Sequence, residues 1–305
     1  MEVIHLEQVK IKNNPPLSVA LGYFDGLHLG HQAVIKEAVT YAKEHHMKSA
    51  VLTFSTNPNV ILKKLSSELL LTPHLEKVRL LDEMEVDYLL ILPFNETIAS
   101  ITATEFIQRY LIDLNVRHVS TGFDFRFGQK GEGSVTLLET YVEQFTLNVT
   151  TRQEIEEEKI GATEIKSYLA VGDIEKANAM LGRPYSLTGI VISGQQKGRT
   201  IGFPTANLGA EEAFIVPKNG VYAVKVKVKD QYYNGMCNIG HNPTFNFIDQ
   251  VSVEVNILDF NDDIYHQTIK IEFYHRLRDE QRFSSIEELM AQLNQDRETV
   301  RRYFK

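Results

Sequence analysis

Residues 17–31 have the sequence LSVALGYFDGLHLGH, an apolar run followed by a glycine-rich turn and the start of a periodic segment. Residues 17–24 predict a strand, and residues 31–46 predict a helix with apolar side chains at helical spacing. Further strands are expected at 49–54, 87–92 and 116–121, and further helices at 74–85, from Thr102, and at 135–145. Strands alternating with helices predict a parallel sheet, which binds ligands at the carboxyl ends of its strands.

The pattern changes after residue 182. Residues 222–229, 251–258 and 268–276 alternate apolar and polar side chains, and turn signals separate them, which predicts the antiparallel strands of a small barrel. A last helix is expected from Ser284 or Ser285. The expected architecture is an α/β, Rossmann-like domain over residues 1–182, followed by an antiparallel β-barrel with a C-terminal helix over residues 183–305.

Composition narrows the class of protein. The 305 residues include 32 Lys+Arg and 40 Asp+Glu, a formal charge of −8, which argues against a nucleic-acid partner. The single cysteine, Cys237, excludes an intrachain disulfide, and no cysteine pair offers a zinc site. We find no signal-peptide core and no apolar run of the roughly 18 residues that span a bilayer. A cytoplasmic protein without a membrane partner is therefore expected, and its oligomeric state stays open.

The turn at residues 22–31 suits a phosphate. Its glycines allow close backbone approach, and the following helix directs its first amides to the same place. His28 and His31, on either side of Gly30, have the spacing to donate hydrogen bonds to a phosphoryl group during transfer. The alternative is an ordinary strand-to-helix turn with two surface histidines.

A second loop, residues 122–128, has the sequence GFDFRFG. Three aromatic rings around Asp124 would suit a planar heterocycle with a polar edge. Core packing of these rings explains the pattern equally well.

Residues 189–208 have the sequence GIVISGQQKGRTIGFPTANL. Gly194 and Gly198 lie in a basic segment able to surround phosphates with backbone amides, and Lys197 and Arg199 add positive charge. The spacing differs from the glycine-rich phosphate loop of common kinases, and the alternative is a plain hairpin. On the alternating strand 251–258, Glu254 shares a face with Ser252 and Asn256, which is also the pattern of a solvated carboxylate.

With its G-x-F-D-G-x-H-x-G-H turn, its aromatic loop and its G-F-P-T-A-N stretch, the chain resembles the bacterial bifunctional riboflavin kinase and FAD synthetase family over essentially its whole length. The resemblance implies ATP-dependent phosphorylation of riboflavin to FMN, then transfer of AMP from ATP to FMN with release of pyrophosphate. It also implies Mg²⁺ with ATP, and flavins as substrate and product, not as a tightly bound prosthetic group.

The resemblance implies roles for individual residues. His28 and His31 act on the ATP phosphates, and Glu254 is the general base that takes a proton from the ribityl hydroxyl. The residues implied to bind ATP are Gly22, Phe24, Asp25, Gly30, Lys166, Gly194, Lys197, Gly198, Arg199 and Asn207. Those implied to bind flavin are Asn57, Pro58, Asp124, Phe127 and Arg278. Thr205 and Asn207 are implied to hold the metal.

Two stretches depart from the family pattern. Residues 160–166 are IGATEIK where the family has I-S-S-T-x-I-R, so two serines are absent and Lys166 replaces an arginine. Residues 54–58 are FSTNP where F-x-P-H-P is expected. Two alternatives therefore stay open: a chain with kinase activity only, and a first domain that binds nucleotide or flavin as a regulatory module.

Overall fold

The computed structural model describes residues 1–6, 15–57, 69–194, 197–209, 214–241 and 251–305. The statements below refer to these residues, and the side chains of Lys197 and His241 are not described. The chain divides into two compact units, Met1–Gly161 and Ala162–Lys305.

The first unit contains a six-stranded sheet. Its strands are β1 Glu2–His5, β2 Leu17–Leu21, β3 Lys48–Phe54, β4 Tyr88–Leu92, β5 Val116–Gly122 and β6 Thr146–Thr150. They are ordered β1-β4-β3-β2-β5-β6, and every neighbouring pair is parallel. The predicted parallel sheet is confirmed. β1 was not predicted. It is a largely exposed strand at the edge of the sheet, and it lacks the continuous apolar run that marks the buried central strands.

Helices connect these strands. They are α1 Leu29–Glu44, α2 His74–Glu83, α3 Glu96–Ser100, α4 Ala103–Ile107 and α5 Val135–Glu139. Thr102 and Glu105 form the capping box that starts α4, as their spacing predicts. The helix predicted at 135–145 ends at Glu139, since the next residues form turns that bring the buried Phe145 to the core.

Two apolar clusters form the core of this unit. One contains Leu21, Leu52 and Phe106, and the other contains Ala20, Val51 and Ile35 of α1. Adjacent residues of a strand point to opposite faces, so the clusters cover the two sides of the sheet. After β6, a small antiparallel ribbon follows, formed by β7 Glu154–Ile155 and β8 Glu158–Lys159.

The second unit is a closed barrel with helices. Its strands are β9 Tyr185–Ile192, β10 Ala206–Gly209, β11 Gly220–Val228, β12 Gln231–His241, β13 Val251–Ile257 and β14 Thr268–Arg278. They follow the order β10-β13-β12-β11-β14-β9 around the barrel. The helices are α6 Ala162–Val171, α7 Ile174–Leu181, α8 Lys197–Thr200 and α9 Ile286–Tyr303. The predicted antiparallel barrel and last helix are confirmed, and Ser285 caps that helix.

The boundary between the two units along the chain lies between residues 161 and 162, whereas the sequence pattern changes between 182 and 183. The difference is the helix pair α6 and α7, which packs with the barrel. Asn178 of α7 donates to the Phe273 carbonyl at 2.8 Å and accepts from the Tyr185 amide at 2.6 Å. Local periodicity does not report such contacts, because they join distant parts of the chain.

Candidate active sites

The two loops predicted in the first unit begin side by side. β2 lies between β3 and β5, and Leu21 at its end pairs with Thr121 of β5. The turn from Gly22 and the loop from Gly122 therefore leave the carboxyl ends of neighbouring strands. The helices that follow these two loops, α1 and α5, pack on opposite faces of the sheet. Open parallel sheets bind ligands at such a position.

The two histidines of the turn are held together at the start of α1. His28 is the N-cap residue, its Nδ1 accepts a hydrogen bond of 3.3 Å from the His31 amide, and the two rings stack at 3.6 Å. A Cβ at Gly30 would lie 3.2 Å from the His28 ring, so glycine permits this approach. Because Nδ1 accepts, the neutral ring of His28 carries its proton on Nε2 and presents a donor there.

The neighbouring residues of the turn support this arrangement from within. Phe24 is 2 % exposed with φ 55°, and its ring edge contacts His31 at 5.2 Å. A Cβ on Gly22 would lie 2.8 Å from the same ring. Asp25 is buried and accepts hydrogen bonds from the amides of Leu71 and Thr72. The buried ring of Phe24 thus packs against the half-buried His31, and Asp25 fixes the turn; ATP contacts of Phe24 and Asp25 stay predictions.

The aromatic loop after β5 divides into a buried and an exposed part. Phe127, predicted to bind flavin, is 3 % exposed and packs against Phe106 in the core, so a flavin contact for it stays a prediction. Phe123 is 47 % exposed, and Asp124 is exposed beside it. Lys159 of β8 lies 3.6 Å from the Asp124 carboxylate. Phe123 is the accessible ring, whereas backbone hydrogen bonds between Phe127 and Gly133 hold Phe127 where its ring enters the core.

Lys77 is a basic residue near this turn that sequence reasoning missed. It is 6 % exposed, its ammonium donates to the Tyr23 carbonyl at 3.1 Å and it lies over the Tyr23 ring. Buried lysines are rare, but a lysine on an amphipathic helix gives no local signal of burial.

Three other residues of the chain are predicted to bind flavin or ATP: Asn57, Pro58 and Lys166. Asn57 is half-buried after β3, and Pro58 lies outside the described residues. Lys166 is half-buried on α6, which belongs to the second unit.

The barrel brings its predicted residues into one line. Arg278 pairs with Val221, Val221 with Asn238, Asn238 with Glu254, and Glu254 with Asn207, each on neighbouring antiparallel strands. We call these five residues the cross-strand row. Residues directly opposite one another project from the same face, so the row places Glu254 between two asparagines.

Thr205 and Asn207 meet Glu254 at the end of this row. The Thr205 hydroxyl donates to the Glu254 carboxylate at 3.4 Å. Asn207 is 8 % exposed, and a Cβ on Gly194 would lie 2.2 Å from its Nδ2, so the loop backbone lies directly against this amide. Asn256 donates to the Pro204 carbonyl at 2.6 Å and fixes the stretch. The Thr205 hydroxyl and the Asn207 amide carbonyl are hard oxygen ligands, which fit Mg²⁺.

Burial raises the pKa values of two side chains in the barrel, Glu254 and Cys237. Removal of water around Glu254 raises the pKa of its carboxyl group, while the hydrogen bond from Thr205 opposes the shift. Behind it, burial raises the pKa of the Cys237 thiol well above its usual range, so this cysteine stays neutral. A carboxylate with a raised pKa holds a proton more readily, as a general base requires.

A cavity of about 380 Å³ adjoins Thr205. Arg199 lines it, as do Phe260, Asp262 and Tyr265 of the segment before β14. A Cβ on Gly198 would lie 2.2 Å from the Phe203 carbonyl oxygen. Glycine at this position therefore allows the two parts of the loop to pack closely. The sequence around residue 262 indicates only a turn. That this turn forms a wall of the cavity is apparent only in the folded structure.

Arg278 holds the last helix. Its Nε and Nη2 donate to Asp296 of α9 at 3.0 and 2.8 Å, and its Nη1 donates to the Asp279 carbonyl at 3.0 Å. Asp296 is 4 % exposed, so this is a buried ion pair. The structure gives Arg278 this anchoring role, and a flavin contact for it stays a prediction.

Comparisons with known proteins identify the family of the chain. The sequence model of the FAD synthetase family matches residues 10–165, and that of the riboflavin kinase family matches residues 181–304. A relative from Bacillus subtilis named bifunctional riboflavin kinase/FMN adenylyltransferase is 42% identical and covers 100% of this chain and 98% of its own. The chain belongs to this bifunctional family.

Two further members and neighbours extend the likeness. A protein of the same name from Listeria monocytogenes is 41% identical over 94% of this chain and 92% of its own. A crystal structure from Streptococcus pneumoniae, described as a macrolide-efflux protein, superimposes with a TM-score of 0.90 at 34% identity and covers 99% of both chains. Among the described residues of this chain, no helix has the length and apolar character needed to cross a membrane.

Proposed function

We propose that this chain phosphorylates riboflavin to FMN at the barrel and then adenylylates FMN to FAD at the parallel sheet. The observation that carries the proposal is the pairing of Glu254 with Asn207, beside Thr205. The FAD synthetase family matches the first part of the chain and the riboflavin kinase family matches the second part. The kinase-only alternative is therefore not favoured.

In the kinase step, Glu254 accepts the proton of the terminal ribityl hydroxyl as that oxygen attacks the γ-phosphorus of ATP, and ADP leaves. Thr205 and Asn207 would hold Mg²⁺, which when bound neutralises charge on the ATP phosphates. The cavity beside Thr205 offers a place for the nucleotide, with Arg199 at its wall.

In the adenylylation step, a phosphate oxygen of FMN attacks the α-phosphorus of ATP and pyrophosphate leaves. The Nε2–H group of His28 and the amides at the start of α1 stabilise the charge that develops on the phosphoryl oxygens. His31, stacked on His28, adds a second imidazole at the same place. The single cysteine and the need for ATP support a cytoplasmic location for both steps.

Incubation of the purified protein with riboflavin, ATP and Mg²⁺, followed by chromatography of the flavins, tests the proposal. Accumulation of FAD is the expected result. FMN without FAD would contradict the adenylylation step, and unchanged riboflavin would contradict the kinase step. FMN supplied directly provides an independent assay of the first unit.

A further inference from the structure

The turn between β2 and α1 has a strained backbone. Phe24, Gly26 and Leu27 have φ values of 55°, 86° and 43°, and two of these residues carry side chains. A residue with a side chain persists in this left-handed region only where surrounding contacts hold it. His28, the N-cap of α1, follows directly. The contacts that hold the turn therefore also determine where the imidazole of His28 lies.

Two side chains from other elements hold the carbonyl oxygen of Tyr23, where the chain enters this turn. The Thr53 hydroxyl donates to it at 2.9 Å from the end of β3, and the Lys77 ammonium donates to it at 3.1 Å from α2. Both side chains are buried, with 2 % of Thr53 and 6 % of Lys77 exposed. A carbonyl oxygen has two lone pairs, so these two donors can occupy both.

The segment that leads into α2 is attached to the same turn. Asp25 accepts hydrogen bonds from the amides of Leu71 and Thr72 at 2.9 and 3.2 Å. The turn and the start of α2 are thus joined twice, through the carboxylate of Asp25 and through the ammonium of Lys77. Loss of the second connection would leave the carbonyl of Tyr23 attached to β3 only.

The charge of Lys77 distinguishes it from an ordinary packing residue. Burying an ammonium group costs free energy that its interactions must offset. Its hydrogen bond to Tyr23 is charge-assisted and therefore stronger than the one from the neutral hydroxyl of Thr53. The ammonium also lies 4.9 Å from the centroid of the Tyr23 ring, a cation–π contact. Both contacts act on one residue of the turn, and the steps proposed above give Lys77 no part.

We propose that Lys77 is a positioning residue for adenylylation: through the Tyr23 carbonyl it keeps the turn in the conformation that places His28 against the phosphates of ATP. This inference rests on the proposed adenylylation function. Lys77 acts through His28 and needs no contact with the nucleotide. Because His28 stabilises charge that develops during the transfer, loss of Lys77 should lower kcat and leave the binding of ATP largely unchanged.

The test measures kcat and the KM for ATP in the adenylylation of added FMN. Lys77→Met removes the ammonium and keeps a chain of similar length, Lys77→Arg keeps a charged donor, and Thr53→Val removes the other donor to the same carbonyl. Lys77→Met is also combined with His28→Ala, to show whether the two residues act together. Lys43→Met removes an exposed lysine of α1 and serves as the matched control. Denaturant unfolding and riboflavin phosphorylation are measured for every variant.

Lys77→Met is expected to lower kcat about tenfold, the effect of losing one hydrogen bond from a charged donor, and to change the KM for ATP by less than about twofold. Thr53→Val should lower kcat by about threefold, since its hydroxyl is neutral, and Lys77→Arg should stay within about threefold of the parent. In the His28→Ala protein, adding Lys77→Met should change kcat by less than about twofold, because the group that Lys77 positions is already absent.

A kcat equal to that of the parent in Lys77→Met would overturn the proposal. Losses that multiply in the combined variant would also overturn it, as would a loss that lies wholly in the KM for ATP, since either shows that Lys77 acts independently of His28. If Lys77→Met does not fold, Thr53→Val decides, and a parent kcat there overturns the proposal. The proposed function is tested separately, because its failure would abolish FAD formation in the parent protein itself.

Discussion

Asn207 and Glu254 lie directly opposite each other on β10 and β13, 47 residues apart in sequence. The pairing places the amide that closes the G-F-P-T-A-N stretch beside the proposed general base. Neither side chain is held by local structure, because each depends on the register between two strands. The proposed kinase site therefore depends on that register, and a slip of one residue would turn the two side chains to the opposite face.

Glu254→Gln is expected to lower riboflavin phosphorylation by roughly 10² to 10⁴, the usual contribution of a positioned general base. Adenylylation of added FMN should keep the parent rate. Steady-state assays of both steps give the answer, with Glu298→Gln as a control for loss of an exposed carboxylate. Kinase turnover equal to that of the parent would remove Glu254 from the mechanism.

The variant His28→Ala/His31→Ala should lose FAD formation and retain FMN formation. It removes two imidazoles at the start of α1 and the cap on the His31 amide. The comparison variant is His46→Asn, a change at an exposed histidine with φ 54° that asparagine tolerates. If the double variant forms FAD at the normal rate, the histidines have no catalytic role.

Lys166→Arg tests the departure from the family pattern. If Lys166 serves the position of the family's arginine, a two-pronged phosphate contact should raise FMN adenylylation, and Lys166→Ala should lower it. One recovered charge-assisted hydrogen bond of ~1.5 kcal/mol corresponds to about tenfold in rate when it forms only in the transition state. Riboflavin phosphorylation is the internal control. Equal adenylylation by the parent and both variants would exclude Lys166 from the reaction.

Phe123 and Phe127 should respond differently to truncation. Phe127→Ala removes a buried ring and is expected to lower the free energy of unfolding by about 3–5 kcal/mol. Phe123→Ala should leave stability within about 0.5 kcal/mol and raise the KM for FMN, because that ring is accessible beside Asp124. Denaturant unfolding and adenylylation kinetics separate the two effects. A stable Phe127→Ala protein would contradict the core assignment.

His118 makes the first unit sensitive to acid. It is 2 % exposed, stacks on Tyr41 at 3.7 Å, and its Nε2 has no hydrogen-bond partner among the described residues. Burial, with a smaller contribution from the charge of His45, lowers the pKa of His118 from 6.5 to about 4.

The folded protein therefore favours the neutral ring of His118, and its contribution to stability is complete above pH 6.5. That contribution falls as the pH drops from 6.5 to about 4, by about 3 kcal/mol in total. The free energy of unfolding, measured across this range, should lose this slope in His118→Phe. An unchanged slope would place the acid sensitivity at another group.

Much of the fold follows from local sequence. Strand and helix periodicities predict the parallel sheet and the barrel, and the Thr102 and Glu105 spacing predicts a cap that the structure contains. These features depend on residues within a few positions of each other, so the sequence carries their signal directly. The weak edge strand β1 and the early end of α5 were missed, because their positions depend on packing against the rest of the sheet.

The sequence by itself determined that His28 and His31 lie in a glycine-rich turn after a strand. It also determined that Glu254 lies on the polar face of a second strand. Only the tertiary structure decided that Phe24 and Phe127 are core residues, that Arg278 anchors α9 and that Asn207, Glu254 and Asn238 are neighbours. Motif spacing fixes residue types along the chain. Burial and cross-strand partners come from contacts between distant segments, whose register is set by the packing of the whole barrel.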